Sequence, residues 1–253
     1  MTTAPASETT TPAGDATTDR VERMLAVGAH YGYSRARRHP STTPYLFGIK
    51  ERQEIIDVTK SQELLARALS YVERLGEEGK VILFVSGKSE AERAIEHTAH
   101  ALGMPFVAGR WIGGTLTNFP EVKKRLARLA DLREKRDKNE LGRYTKKERL
   151  MFDREIEKLE SKFGGLVGMD ELPHALFVVD NRHEHIAVAE AHATGIPLIA
   201  LGSTDCDLSE VTYPILGNDA SRTSISYFLD EVRRAYEAGV TAGKSKAQEA
   251  PAA

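Results

Sequence analysis

Apolar residues in the middle of the chain alternate between short continuous runs and longer stretches with helical spacing. The continuous runs cover residues 81–85, 175–179 and 198–201, and such runs are typical of strands buried on both faces of a parallel sheet. Helical spacing marks the segments 61–72, 89–102, 183–194 and 221–238. Strands and helices therefore alternate, which predicts right-handed crossovers and a doubly wound α/β sheet with helices on both faces.

Glycines follow several of these helical segments and predict where the helices end. Gly76, Gly103 and Gly195 each stand just after the last apolar position of a helical pattern. Glycine adopts the left-handed conformation that terminates many helices. We therefore expect the first three helices of the α/β domain to end at these positions.

The pattern changes between residues 119 and 163, where two narrow apolar stripes lie among charged residues. The stripes consist of Val122, Leu126 and Leu129, and of Phe152, Ile156, Leu159 and Phe163. Each stripe needs a partner to cover it, which predicts two antiparallel helices packed on each other. The turn is expected around residues 139–142, and Thr145 with Glu148 has the form of a capping box for the second helix.

Composition sets the expected limits of the fold. Residues 1–20 and 241–253 are rich in Thr, Ala, Pro, Ser and charged residues, and segments of this kind do not build a core. The prediction is therefore a disordered tail at each end, one α/β domain from 21–118 and 164–240, and an inserted helical hairpin at 119–163. The start of the chain lacks the features of a secretory signal, and no apolar run approaches the roughly 20 residues that span a bilayer.

Charge is strongly segregated, although the formal net charge is only −2. Residues 30–52 carry +4, and the segment 119–163 carries +5, from fifteen Lys or Arg against ten Asp or Glu. Residues 164–242 carry −8. A protein with one basic and one acidic side is suited to lie on a polyanion, although mixed charge on exposed helices is also typical of an ordinary solvated surface.

The basic cluster at residues 34–39 (SRARRH) is the strongest sign of nucleic-acid binding. It lies in a segment rich in Gly and Pro, with Tyr31, Tyr33 and Tyr45 interleaved. Irregular backbone can follow phosphates, and aromatic rings beside guanidinium groups suit unpaired RNA bases. A solvated loop is the alternative interpretation.

Several motifs, in order along the chain, resemble one family. The clearest is residues 109–119 (GRWIGGTLTNF), which contains the only tryptophan. The others are residues 26–32 (AVGAHYG), 44–48 (PYLFG), 55–58 (IIDV), 172–182 (LPHALFVVDNR), 184–190 (EHIAVAE), 206–207 (CD) and 213–219 (YPILGND). Together they resemble the universal small-subunit ribosomal protein number two in its bacterial form. Tyr33 and Arg38 depart from that pattern, which usually has histidine and tryptophan there.

The resemblance implies a fold, a function and partners. It implies a Rossmann-like, three-layer parallel sheet with an inserted antiparallel coiled-coil hairpin, and no catalysis, cofactor or metal. It further implies a monomer in the small subunit of the cytoplasmic ribosome, between head and body, that binds 16S ribosomal RNA. Neighbouring small-subunit proteins are the other implied partners, and members of the family help to dock the large messenger-binding ribosomal protein.

Six basic residues are the predicted RNA contacts, to phosphates or by stacking on bases. They lie in the N-terminal cluster and beside two of the motifs: Arg35, Arg37, Arg38, Lys50, Arg110 and Arg182. Phosphate neutralisation dominates such affinity, so binding is expected to depend strongly on salt.

Two hypotheses compete with the ribosomal one. The first is a coiled-coil adaptor unrelated to RNA. The second is a nucleotide-binding enzyme, because Gly87-Lys88-Ser89 lies between a predicted strand and a predicted helix. The complete phosphate-binding motif needs a glycine at position 82, where this chain has Ile82. No acidic residue is recognisable at a neighbouring strand end either. A strand-to-helix turn without bound nucleotide is therefore the prediction.

Two groups resemble metal sites only in part. The zinc-protease pattern needs a second histidine four residues after His183, and this chain has Ala187 there. Residues 205–207 (DCD) with Asp180 contain possible ligands for a divalent cation. No metal is predicted at either place. Cys206 is the only cysteine, which excludes an internal disulfide and favours a reducing compartment.

Overall fold

The structure is a computed structural model, and it describes residues 13–138 and 144–249. The strands are β1 (Tyr31–Ser34), β2 (Leu46–Lys50), β3 (Gln53–Ile56), β4 (Ile82–Ser86), β5 (Phe106–Ala108), β6 (Ala175–Val179), β7 (Leu198–Gly202) and β8 (Tyr213–Leu216). The helices are α1 (Ala13–Ala26), α2 (Val58–Glu77), α3 (Ser89–Leu102), α4 (Phe119–Asp137), α5 (Lys146–Phe163), α6 (His185–Thr194) and α7 (Arg222–Glu249).

Strands β4 to β8 form one parallel sheet in the order β5-β4-β6-β7-β8. Every residue of β4, β6 and β7 is buried, as the continuous apolar runs predicted. Side chains alternate between two faces, so that Phe84 and Phe177 pack under α2, α3 and α7, while Val85 and Val178 pack under α6 and the start of α4. The predicted α/β class and parallel sheet are confirmed.

Helix α2 does not end at Gly76 as predicted, but continues to Glu77. A side chain at Gly76 would collide with the backbone of α7 at Tyr236, and one at Gly239 would collide with Glu73 of α2. These two helices therefore approach closely where both carry glycine. The glycine reflects helix packing, whereas Gly103 and Gly195 adopt positive φ and end α3 and α6 as expected.

Both predicted tails are partly helical. Helix α1 covers residues 13–20 of the first tail, held by an ion pair between Arg20 and Glu231 and by the buried Met24. Helix α7 covers residues 241–249 of the second, where Lys246 Nζ donates to Glu77 Oε2 at 2.9 Å. These contacts to distant segments outweigh the composition. Residues 1–12 and 250–253 lie outside the described residues.

Helices α4 and α5 pack on each other over part of their length. Leu129, Leu132 and Ile156 form a buried cluster, and Arg128 pairs with Glu155 between the two helices at 3.1 Å. The predicted capping box at Thr145 is present. The predicted turn at 139–142 lies outside the described residues, so the coiled-coil hairpin itself stays a prediction.

A small antiparallel sheet, in the order β1-β3-β2, precedes the main one. The strands of this sheet were not predicted from the sequence. The arginine cluster leaves β1 as a short 3₁₀ helix, Arg35–Arg37. No helix in the described part of the chain is long and apolar enough to cross a membrane.

Candidate functional site

The crevice at the carboxyl ends of β4 and β6 is the place where a doubly wound sheet usually binds its ligand, because the strand order reverses there. Lys88 follows β4 and is only 13 % exposed. Its Nζ lies 2.6 Å from Asp180 Oδ2 and 2.8 Å from Asp219 Oδ2. The ammonium group therefore has two internal counter-ions. Asp180 is also the acidic strand end that was not recognised in the sequence.

The ionisation of this cluster follows from burial and proximity. Burial disfavours the charge of Lys88, but Asp219 and Asp180 outweigh it and raise the pKa of the lysine. Burial likewise opposes the charge of Asp180, but the adjacent ammonium lowers the pKa of that carboxyl. Burial raises the pKa of Asp219 to about 6, against the opposing effect of Lys88. The lysine is thus a structural cation and not a free phosphate ligand.

The backbone after β4 is not available to an anion. Gly87 N donates to Glu184 Oε1 at 2.8 Å, and Lys88 N donates to Ser86 Oγ at 3.1 Å. In a phosphate-binding loop these N–H groups would point to the ligand. A buried glutamate stands in their path here, because Glu184 is 4 % exposed.

The N-terminal segment, residues 33–42, covers the same crevice. Thr204 Oγ1 accepts from Tyr33 N at 2.9 Å, and Thr204 O accepts from His39 N at 2.8 Å and from Thr42 Oγ1 at 3.0 Å. The Tyr33 ring lies over Lys88, with 5.9 Å from Nζ to the ring centroid. The space that a nucleotide would need is therefore occupied by the chain itself.

The structure brings several predicted RNA contacts to this end of the molecule. Arg37, Arg38 and Arg182 line one depression, and Arg110 lines a second one beside His183. The first depression also contains Asp205, Asp207 and Glu210. Lys50 lies apart from both depressions, exposed at the end of β2.

The six basic residues differ in whether their charge is already paired within the protein. Arg38 pairs with the fully buried Glu54 (Nη1 to Oε1, 3.2 Å), and Arg182 pairs with Asp205 at 3.0 Å. The Arg37 guanidinium lies over the Tyr33 ring, 4.9 Å from its centroid. The other three, Arg35, Lys50 and Arg110, form no ion pair with any residue that the structure describes.

Arg38 also changes the environment of Glu54. Burial raises the pKa of Glu54, and the charges of Arg38 and Arg35 oppose that effect. Arg38 is one of the two positions that depart from the family pattern. In this chain it pairs with a buried carboxylate of β3, the central strand of the small sheet.

One group of metal-ligating atoms lies in the crevice. Ligand atoms of Asp180, Cys206 and Asp219 lie within 4.8 Å of one another, so Asp219 takes the place that the sequence suggested for Asp205 and Asp207. The Lys88 ammonium already lies between the two carboxylates. Burial and the neighbouring aspartates raise the pKa of the Cys206 thiol, which disfavours the thiolate that a metal needs.

Sequence analysis did not identify Glu190, a buried residue of α6 that organises the tryptophan-containing segment. Its carboxylate accepts hydrogen bonds from Trp111 Nε1 (3.0 Å), Gly114 N (2.7 Å), Leu116 N (2.9 Å) and Thr117 N (3.2 Å). Burial opposes its charge, but these donors outweigh burial and lower the pKa of Glu190. An acidic residue on an otherwise apolar helix face was the only available signal.

Comparison with known proteins gives a consistent family. The family model "Ribosomal protein S2" matches residues 24–239. Small ribosomal subunit protein uS2 of Sulfurimonas denitrificans is 41 % identical over 85 % of this chain and 83 % of that protein. The proteins of the same name from Acidothermus cellulolyticus and Micrococcus luteus are 41 % and 39 % identical, over 88 % and 89 % of this chain and 81 % and 80 % of their own length. The chain therefore belongs to the ribosomal protein S2 family, whose members are structural proteins of the ribosome and not enzymes.

Proposed function

We propose that this protein is a structural constituent of the small ribosomal subunit that binds 16S ribosomal RNA between head and body. The observation that carries the proposal is the position of the N-terminal segment over the crevice. It closes the ligand crevice with hydrogen bonds to Thr204, while Arg35 and Arg37 stay exposed on its outer side. The end of the fold that would bind a nucleotide in an enzyme presents positive charge to a polyanion instead.

Three of the six predicted RNA contacts, Arg35, Lys50 and Arg110, have the charge best placed for this role. Without an ion-pair partner in the described part of the chain, they can neutralise phosphate without first losing a carboxylate. Arg37 can both neutralise phosphate and extend the stack that it forms on Tyr33. Arg38 and Arg182 contact RNA while remaining paired to Glu54 and Asp205, so their contributions are smaller.

The remaining parts of the proposal concern domains and partners. The α/β domain includes helices α1 and α7 along their described lengths, and residues 119–163 form an inserted coiled-coil hairpin that carries a net +5. Neighbouring small-subunit proteins pack beside it, including the large messenger-binding ribosomal protein, which it helps to dock. The protein acts in the cytoplasmic ribosome. The proposal has support from the family membership and from the buried contacts between α4 and α5.

A charge-reversal experiment tests the RNA contact. Arg35→Glu with Arg37→Glu is compared with Arg67→Glu with Arg93→Glu, two exposed arginines on α2 and α3. Both double variants change the net charge equally. After sedimentation of cell extract, the first is expected to shift from the small-subunit fraction to the top of the gradient, while the second stays. An equal distribution of the two variants would contradict the proposed interface.

The competing enzyme hypothesis has its own test. Isothermal titration of the purified protein with ATP and with GTP is expected to show no saturable heat, because Glu184 and Lys88 occupy the phosphate position. Saturable binding in the micromolar range would favour the nucleotide-binding enzyme.

A further inference from the structure

A cleft of about 280 Å³ lies where α4 and α5 meet the tryptophan-containing loop. Its lining comes from residues 112–114 of the loop and from both helices. The other lining residues are Asn118, which precedes α4, and Glu121, Val122, Arg125, Lys162 and Phe163 on the helices. The family motif at 109–119 forms one wall of it, but the proposed RNA contacts do not include this cleft.

The floor of the cleft is rigid and apolar. Val122 and Phe163 are 6 % and 4 % exposed and belong to the core cluster on one face of the main sheet. Their side chains are packed against the sheet, so they offer a fixed surface.

The opposite wall is bare backbone that is held in place. A Cβ at Gly113 would meet no atom within 4 Å, so the peptide there is open. Gly114 has φ +88° and donates its N–H to Glu190 Oε1 at 2.7 Å. At these two glycines the wall consists of backbone, and the buried carboxylate of Glu190 holds Gly114 in place.

The mouth of the cleft carries two positive charges, and one of them, Arg125, acts together with Lys124 to lower the pKa of Glu121 in the same lining. Arg125 and Lys162 are exposed and form no hydrogen bond or ion pair with any other residue in 18–138 or 144–246. The acidic residue of the lining, Glu121, is engaged by Lys124 Nζ at 2.6 Å. Five of the eleven other cations on these helices, Arg128 and Arg133 among them, pair with carboxylates of the described residues.

We propose that this cleft takes one unpaired nucleotide of ribosomal RNA, with its base against the Gly113–Gly114 peptide and its phosphates beside Arg125 and Lys162. This proposal rests on the proposed function and names a contact that the six predicted residues do not supply. An acidic peptide would also satisfy the two cations, and we favour the nucleotide because the proposed function places ribosomal RNA against this protein. Proteins recognise RNA sequence mainly at unpaired bases, and cations beside those bases follow the phosphate backbone.

Salt dependence tests the charged part of the proposal. Association of the full-length protein is measured with small subunits prepared from cells depleted of it, over a series of KCl concentrations. The double variant Arg125→Ala with Lys162→Ala is compared with the double variant Arg154→Ala with Lys158→Ala. The second pair consists of exposed cations that precede Lys162 on α5. For the cleft variant the slope of log affinity against log salt is expected to fall by about 0.7 for each lost phosphate contact. The control variant should keep the wild-type slope.

A steric variant tests whether the cleft itself is filled. Gly113→Leu places a side chain into open space, so the thermal unfolding midpoint should stay within a few degrees of wild type. Its affinity for the depleted subunits is expected to fall at least tenfold, whereas Gly113→Ala should retain most of the affinity.

The outcomes distinguish a failure of the proposed function from a failure of the cleft proposal. Failure of the wild-type protein to bind the depleted subunits overturns the proposed function. Normal wild-type binding, together with equal slopes for the cleft and control variants, overturns the cleft proposal alone. Lost affinity with an unchanged slope would assign the cleft to a protein neighbour, and full affinity of folded Gly113→Leu would show that no nucleotide enters it.

Discussion

Replacement of Lys88 by methionine is the most direct test of the closed crevice. Methionine keeps much of the length and apolar stem of lysine but removes the ammonium that lies 2.6 Å and 2.8 Å from two carboxylates. Asp219 is fully buried and Asp180 nearly so. Removing one partner from a buried ion pair typically costs about 3–5 kcal/mol, because the remaining charge is uncompensated. We expect Lys88→Met to lose stability in that range at neutral pH.

The loss should depend on pH with a definite sign. Without the ammonium, the two neighbouring carboxylates raise the pKa of each other, so the pKa of Asp219 should rise above its present value of about 6. A carboxyl group with a raised pKa in the folded state favours folding when it is protonated. The stability difference from wild type should therefore be largest above pH 7 and shrink as the pH falls towards about 5.

Urea unfolding followed by circular dichroism at a series of pH values measures this difference. The double variant Lys88→Met with Asp219→Asn should recover much of the loss, because only one buried carboxylate then remains. Lys80→Met, at an exposed lysine paired with Glu78 on the surface, is the control and should unfold close to wild type. A difference below about 1 kcal/mol for Lys88→Met, or no recovery in the double variant, would refute the internal counter-ion argument.

Three further substitutions test other buried contacts by urea unfolding. Arg38→Ala leaves the buried Glu54 unpaired and should cost about 3–5 kcal/mol, and a change within error would show that solvent reaches the carboxylate. Glu190→Gln replaces one acceptor oxygen by a donor facing N–H groups and should cost about 1–3 kcal/mol, with a red shift of Trp111 fluorescence that is absent if the loop is held otherwise. Gly239→Ala pushes α7 from α2 and should cost about 1–3 kcal/mol, so an unchanged midpoint would contradict the close helix packing.

Local pattern was enough to predict much of the main sheet and several helices. The apolar run at Ala175–Val179 is β6 itself, and α3 has the predicted bounds Ser89–Leu102. These elements are predictable because burial on both faces leaves a continuous apolar run. The glycine at position 76 was misinterpreted because its role depends on α7, which is about 160 residues away in sequence.

The chemistry of the crevice was less predictable, because it depends on contacts between distant segments. Lys88 meets Asp219 across 131 positions of sequence, and Tyr33 meets Thr204 across 171. The sequence showed that Ile82 spoils the phosphate-binding motif. It did not show that Asp180 and Asp219 would neutralise the lysine, or that Arg38 would be committed to Glu54.

The same features that block a nucleotide also explain how this scaffold presents its charge. A fold does not determine a function, and the ligand crevice of a doubly wound sheet can be filled from within. Here Lys88 and its two aspartates supply the internal charge balance, and the segment from Tyr33 to Thr42 covers them through Thr204. Because backbone groups of that segment and the Thr42 hydroxyl make these bonds, Arg35 and Arg37 need not point inward. The closed crevice and the exposed arginines are thus one structural arrangement, so a variant that opens the crevice should also weaken the RNA binding that we propose.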